Sequence, residues 1–204
     1  MSSVNSLSED NITKIAEYSF VEDTLSLIIS SRRFNGSASL LVQHSIGYSS
    51  AGMRLSYSNL SLKYRAQESI ALAAVIHNGG VLSSLPSYFR SNRNIVTAAV
   101  RSEGSALQFA HDIFKGDIQI VRIAVSNNGA ALEYASPRAR QDLDIVKIAV
   151  SNNGIALVFA DLLLRNNAEI VKIAILNNTN ALRYASRELK HEEEFCKWFN
   201  SLFE

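Results

Sequence analysis

Beyond residue 67 the hydrophobic positions return at a fixed step of 25. Ile95-Val96, Ile120-Val121, Ile145-Val146 and Ile170-Val171 mark four successive units, and Ile70-Ala71 extends the series backwards. An alanine recurs in the same register (Ala74, Ala99, Ala124, Ala149, Ala174), as does a leucine (Leu82, Leu107, Leu132, Leu157, Leu182). An aromatic follows in four units, at Phe109, Tyr134, Phe159 and Tyr184. A constant period of this length is the signature of a stacked repeat, whose units bury their apolar faces only against one another.

Within the plainest unit, Ile145, Ile148, Ala149 and Asn152 trace the i, i+3, i+4, i+7 stripe of a helix, widened by Val146 and Val150. Asn92, Asp117, Asp142 and Asn167 open the units as N-caps. The Asn-Gly pairs at 128–129 and 153–154 stand where a left-handed C-cap belongs. A second short helix is expected with Ala156, Phe159, Ala160 and Leu163 on one face, and Ser136-Pro137 is placed to cap a third turn. The spacing also fits the strand signature of a leucine-rich repeat. That reading points the repeated alanine to solvent and leaves its recurrence unexplained, whereas a helix uses a small residue where backbones approach closely. The pattern therefore predicts helices of about 8–12 residues every 25.

The unit, of the form D-x-x-[IV]-V-x-x-A-V-x-x-N-G-x-A-L-x-[YF]-A-S, resembles a short bacterial and protist repeat of unknown function, over about residues 67–190. The resemblance implies an α-helical array and no chemistry.

Residues 7–34 follow a different pattern. Ile12, Ile15 and Ala16 form the apolar side of one helix capped by Ser8, and Asp23 opens a second containing Leu25, Leu27, Ile28 and Ile29. Such a hairpin is too small to be stable alone. It resembles the F-box: Leu7, Asp10, Ile12, Ile15, Tyr18, Asp23, Leu25, Leu27, Ser31, Arg33 and Phe34 fall on that family's positions without a gap. Ser8 replaces the family's proline and Ser19 its leucine. The resemblance implies binding to the S-phase-kinase-associated adaptor of SCF ubiquitin ligases, with Leu7, Ser8, Ile12, Ile15, Tyr18, Leu25, Leu27 and Ile28 at the interface. Tethering would then raise the local concentration of a target near the ubiquitin carrier. An ordinary pair of helices capping the array is the alternative.

At the other end, Glu192-Glu193-Glu194 precedes Phe195, Trp198, Phe199, Leu202 and Phe203. This is the pattern of an amphipathic helix capping a solenoid. It also resembles the translocation signal of Dot/Icm type IV effectors, which implies delivery from a bacterium into host cytoplasm.

Composition narrows the chemistry. The chain has 204 residues, is 47% hydrophobic and 19% charged, and carries a formal net charge of +1. No basic excess exists to neutralise nucleic-acid phosphates. No apolar run approaches the roughly 20 residues of a membrane helix, and residues 1–11 lack a signal-peptide pattern. A single cysteine, Cys196, excludes an internal disulfide. His44, His77, His111 and His191 share no metal-ligand spacing, and no nucleophile–base set, phosphate loop or dinucleotide turn appears. Neither a catalytic residue nor a cofactor is expected. Arg122, Lys147 and Lys172 recur at one position and form a stripe, either a solvated flank or a groove for an acidic partner.

The expectation is an all-α chain: F-box-like helices over 1–48, a short-repeat α-solenoid over 49–190, and a capping helix or secretion signal over 191–204. Its expected function is that of a non-enzymatic F-box adaptor, with a scaffold lacking ligase recruitment as the alternative.

Overall fold

The computed structural model describes residues 65–203. The chain divides into two compact units, Met1–Ala74 and Val75–Glu204. The F-box-like segment 7–34, the residues assigned to adaptor binding, His44 and the boundary expected at 48/49 lie outside the described residues.

Each period contains three elements. Ten-residue α-helices come first: α1 (Glu68–His77), α3 (Arg93–Ser102), α5 (Ile118–Asn127), α7 (Leu143–Asn152) and α9 (Ala168–Asn177). Six-residue 3₁₀ segments follow: η1 (Gly79–Ser84), η2 (Gly104–Phe109), η3 (Gly129–Tyr134), η4 (Gly154–Phe159) and η5 (Thr179–Tyr184). Short helices close the units: α2 (Ser87–Arg90), α4 (Asp112–Lys115), α6 (Pro137–Arg140), α8 (Leu162–Arg165) and α10 (Arg187–His191). A final helix, α11, spans Glu193–Asn200. The described residues form helices and short connections and contain no strand.

The expected caps start the long helices. Asn92 accepts from the amides of Asn94 and Ile95, Asp117 from Gln119 and Ile120, Asp142 from Ile145 and Asn167 from Ile170. Ser136 caps α6, with Pro137 at its first position.

Two local expectations are corrected. The Asn-Gly pairs are not left-handed caps: Asn128 and Asn153 are extended, with φ of −145° and −144°, and Gly129 and Gly154 begin 3₁₀ segments. The glycine is required by close approach instead. A Cβ on Gly104, Gly129 or Gly154 would lie under 3.0 Å from the carbonyl oxygen of Ala124, Ala149 or Ala174 in the next unit. Each of these glycines thus lies against the backbone carbonyl of the recurrent alanine. In the last unit Thr179 takes the glycine position, and there the site is exposed. The second element is likewise a 3₁₀ segment ending at Phe159, not an α-helix reaching Leu163. Leu163 belongs to α8 and is 81% exposed.

The core lies between the row of long helices and the row of 3₁₀ segments. In one unit Ile145, Val146, Ala149 and Val150 meet it from α7, and Ala156 and Leu157 from η4; all are fully buried. Ile148 is half-buried and Asn152 exposed, so the buried stripe centres closer to Val146 than the sequence suggests. Each buried Ile or Leu contributes about 1.5–3 kcal/mol relative to exposure. Consecutive long helices pack on one another from α3 to α9, and consecutive 3₁₀ segments from η1 to η5. Helix α11 keeps the register: Glu192 stands 25 residues after Asn167, and buried Phe195 takes the position of Ile170.

Candidate interaction surface

Two hydrogen-bond ladders hold adjacent units together and decide which side chains remain available. The first runs through Asn127, Asn152 and Asn177. Asn152 Oδ1 accepts from the Gly129 amide at 2.7 Å, and its Nδ2 donates to the Ser126 carbonyl at 3.1 Å. Asn127 joins Gly104 and Arg101 in the same way, and Asn177 joins Gly154 and Ser151. The second asparagine of each pair bonds within its own unit, where Asn128, Asn153 and Asn178 cap the 3₁₀ segments. On the opposite side, the amides of His111, Ser136, Asp161 and Ser186 donate to the carbonyls of Arg90, Lys115, Arg140 and Arg165 at 2.8–3.1 Å.

The stripe of Arg122, Lys147 and Lys172 lies on one flank, and each member faces the next unit. Arg122 stands 4.0 Å from Asp144, and Lys147 pairs with Glu169 at 2.6 Å. The Lys172 ammonium sits 5.0 Å from the Trp198 ring centroid. The Glu169 carboxylate bonded to Lys147 raises the lysine's pKa. A further pair, Arg93–Asp117, joins α3 to the cap of α5 at 2.5 Å. The hydrogen bond from Arg93 holds the Asp117 carboxyl below its ordinary range, helped by the Ile120 and Gln119 amides and opposed by desolvation.

A second basic position is not singled out by the sequence reading, although the same 25-residue step marks it: Arg90, Lys115, Arg140, Arg165 and Lys190 lie at the ends of the five short helices. All are half-buried. Arg140 bends back to the Ala135 and Glu133 carbonyls, and Lys190 to that of Arg183. Lys115 pairs with Asp112. The Nε atoms of Arg90 and Arg165 are buried without a hydrogen-bond partner. Between α6 and α8 a cavity of about 250 Å³ is lined by Pro137, Arg140, Phe159, Asp161, Leu162 and Arg165.

Side chains with latent chemistry serve the fold. His111 caps α4 through Nδ1, His191 Nδ1 lies 2.7 Å from the Arg187 carbonyl, and Cys196 Sγ donates to the Lys190 carbonyl at 3.2 Å. Among the described residues no group of three or more His, Cys, Asp or Glu is arranged to hold a metal ion, and no helix is long and apolar enough to cross a membrane.

Comparison with known proteins gives one family. The pattern described as Domain of unknown function (DUF4116) matches residues 68–115, 92–138 and 142–190. No curated protein and no solved structure matches the chain.

Proposed function

We propose, on the premise that the chain belongs to the DUF4116 family, that it works as a non-enzymatic adaptor whose array holds a protein target while residues 7–34 dock on the S-phase-kinase-associated subunit of an SCF ubiquitin ligase. Target capture is supported by the ordered stacking of the units, which presents equivalent side chains repeatedly along one edge, the arrangement on which repeat proteins hold extended partners. The tether is supported by the gapless F-box pattern from Leu7 to Phe34. The block Glu192–Glu194 ahead of an aromatic helix supports delivery from a bacterium into host cytoplasm.

Titration of purified adaptor with the full chain tests the tether. Binding is expected at micromolar concentration or below. Leu7→Ala combined with Ser8→Ala is expected to weaken it at least tenfold, about 1.4 kcal/mol. Ser8→Pro should hold or improve affinity, because proline presets the turn. Absence of wild-type binding at micromolar concentrations removes the ligase connection and leaves a repeat scaffold.

A further inference from the structure

The edge formed by the short helices carries a second row of basic residues, in which, among the described residues, only Lys115 forms an ion pair, with Asp112. On the flank of the first row Arg122 faces Asp144 and Lys147 faces Glu169 of the next unit, and Lys172 lies over the Trp198 ring. On the short-helix edge five basic residues stand in register; the acids beside them are Asp112, Asp161, which lines the cavity between α6 and α8, and the exposed Glu188 of α10. Asp112 pairs with Lys115. Asp161 accepts from the Leu163 amide at 3.0 Å and from Gln141 Nε2 at 3.3 Å. Arg165, with its buried unpartnered Nε, lines the cavity between α6 and α8 opposite Arg140, whose guanidinium is fixed on two carbonyls. Tyr88, Ile113, Leu162 and Leu163 are exposed beside the basic row, at 54%, 68%, 69% and 81%.

We propose that this edge is a docking groove for an acidic peptide segment lying across the short helices, with one carboxylate seated between Arg140 and Arg165. The proposal rests on the reading of the array as a holder of a protein target, and it assigns that target's recognition element. Stacked helices lie about 8–10 Å apart. A polyproline II chain advances about 9 Å per three-residue turn. An acid at every third position is therefore spaced to meet one cation per unit, taking the place of Asp112 at Lys115, and the residues between cover the exposed leucines, isoleucine and tyrosine. A guanidinium fork suits a carboxylate, and the half-buried stems leave little side-chain freedom to lose on binding. A peptide fits better than a polynucleotide or a bilayer: the chain's net charge is only +1, and the surface between α6 and α8 is concave whereas a bilayer presents a plane.

The test is fluorescence anisotropy of the full chain with a labelled peptide of about 12 residues repeating Glu-Pro-Leu, against the same peptide with Gln for Glu. Micromolar binding of the Glu peptide is expected, weakening between roughly 50 and roughly 200 mM salt. The Gln peptide should bind about tenfold more weakly or worse. Arg165→Gln and Arg90→Gln should each weaken the Glu peptide at least about threefold, while Lys147→Gln leaves it unchanged. Should Arg165→Gln melt early, Arg90→Gln in a separate unit carries the comparison. Equal affinity for both peptides, equal loss in Lys147→Gln, no binding at roughly 100 μM, or tighter binding of an RNA oligonucleotide or phosphatidylserine vesicles than of the Glu peptide overturns the proposal. The adaptor titration fails or succeeds independently, since its variants lie at Leu7 and Ser8.

Discussion

Gly129 shows how little room a joint between units leaves. A methyl group there would press on the Ala149 carbonyl, which is backbone and cannot turn aside. Gly129→Ala is expected to cost about 1–3 kcal/mol in a urea melt, the usual penalty of overpacking. Thr179→Ala, at the equivalent exposed position, should leave the midpoint near wild type. Asn152→Ala removes both bonds of its rung and leaves the buried Gly129 amide unpaired, at an expected cost of about 1–3 kcal/mol. The recurrent alanine is legible in the sequence as a site of close approach. Its partner is not, because Asn-Gly is also the local signature of a left-handed turn, and nothing nearby in sequence reveals a carbonyl arriving from 20 residues away. Asp117 adds a dependence on pH. Its folded pKa is held down by Arg93, so its stabilisation is present above the ordinary aspartate range and is lost as pH falls through the lower, folded value. Thermal melts of Asp117→Asn should therefore fall less steeply than wild type below about pH 4. Because Arg93 is more than half exposed, the difference is modest.

The long helices are the readable elements. Their caps, ten-residue length and buried alanine all follow from residue type and spacing, and each is set within one turn of the residues concerned. Ala149→Leu should overpack the contact between neighbouring long helices by about 1–3 kcal/mol. Lys147→Ala, which loses an exposed pair with Glu169, should leave the denaturation midpoint almost unchanged. A similar loss in both variants would mean that the buried face has been misassigned. The second element is harder to read, since Gly-Ile-Ala-Leu-Val-Phe suits either helix type. What selects 3₁₀ is the boundary: Asn153 is held extended while its side chain caps Ile155, and the chain must turn again at Ala160 to start α8. Leu163 misleads for the same reason. It is apolar and correctly spaced for an α-helix, yet it falls beyond the turn and points outward.

For the whole molecule, stability is a sum of units and the joints between them. Deleting residues 142–166 brings Gln141 directly to Asn167, which is itself an N-cap, so the register is kept. The shortened chain should retain an all-α circular dichroism spectrum, with a denaturant m-value lower by about one eighth. Removing 142–161 instead strands a short helix without its unit and should unfold the array. The period makes the architecture legible from sequence alone. The candidate groove is less so, because the same 25-residue step marks both basic rows and only the folded chain shows that Arg122 and Lys147 face Asp144 and Glu169. The asparagine rungs carry one more consequence. They touch only amides and carbonyls of the preceding unit, groups that every amino acid but proline provides in full. A rung of that kind does not recognise its neighbour's side chains. Units that keep glycine at the seam can be gained or lost by in-frame recombination without a compensating change in the asparagine rung, so the length of the array can change in whole units.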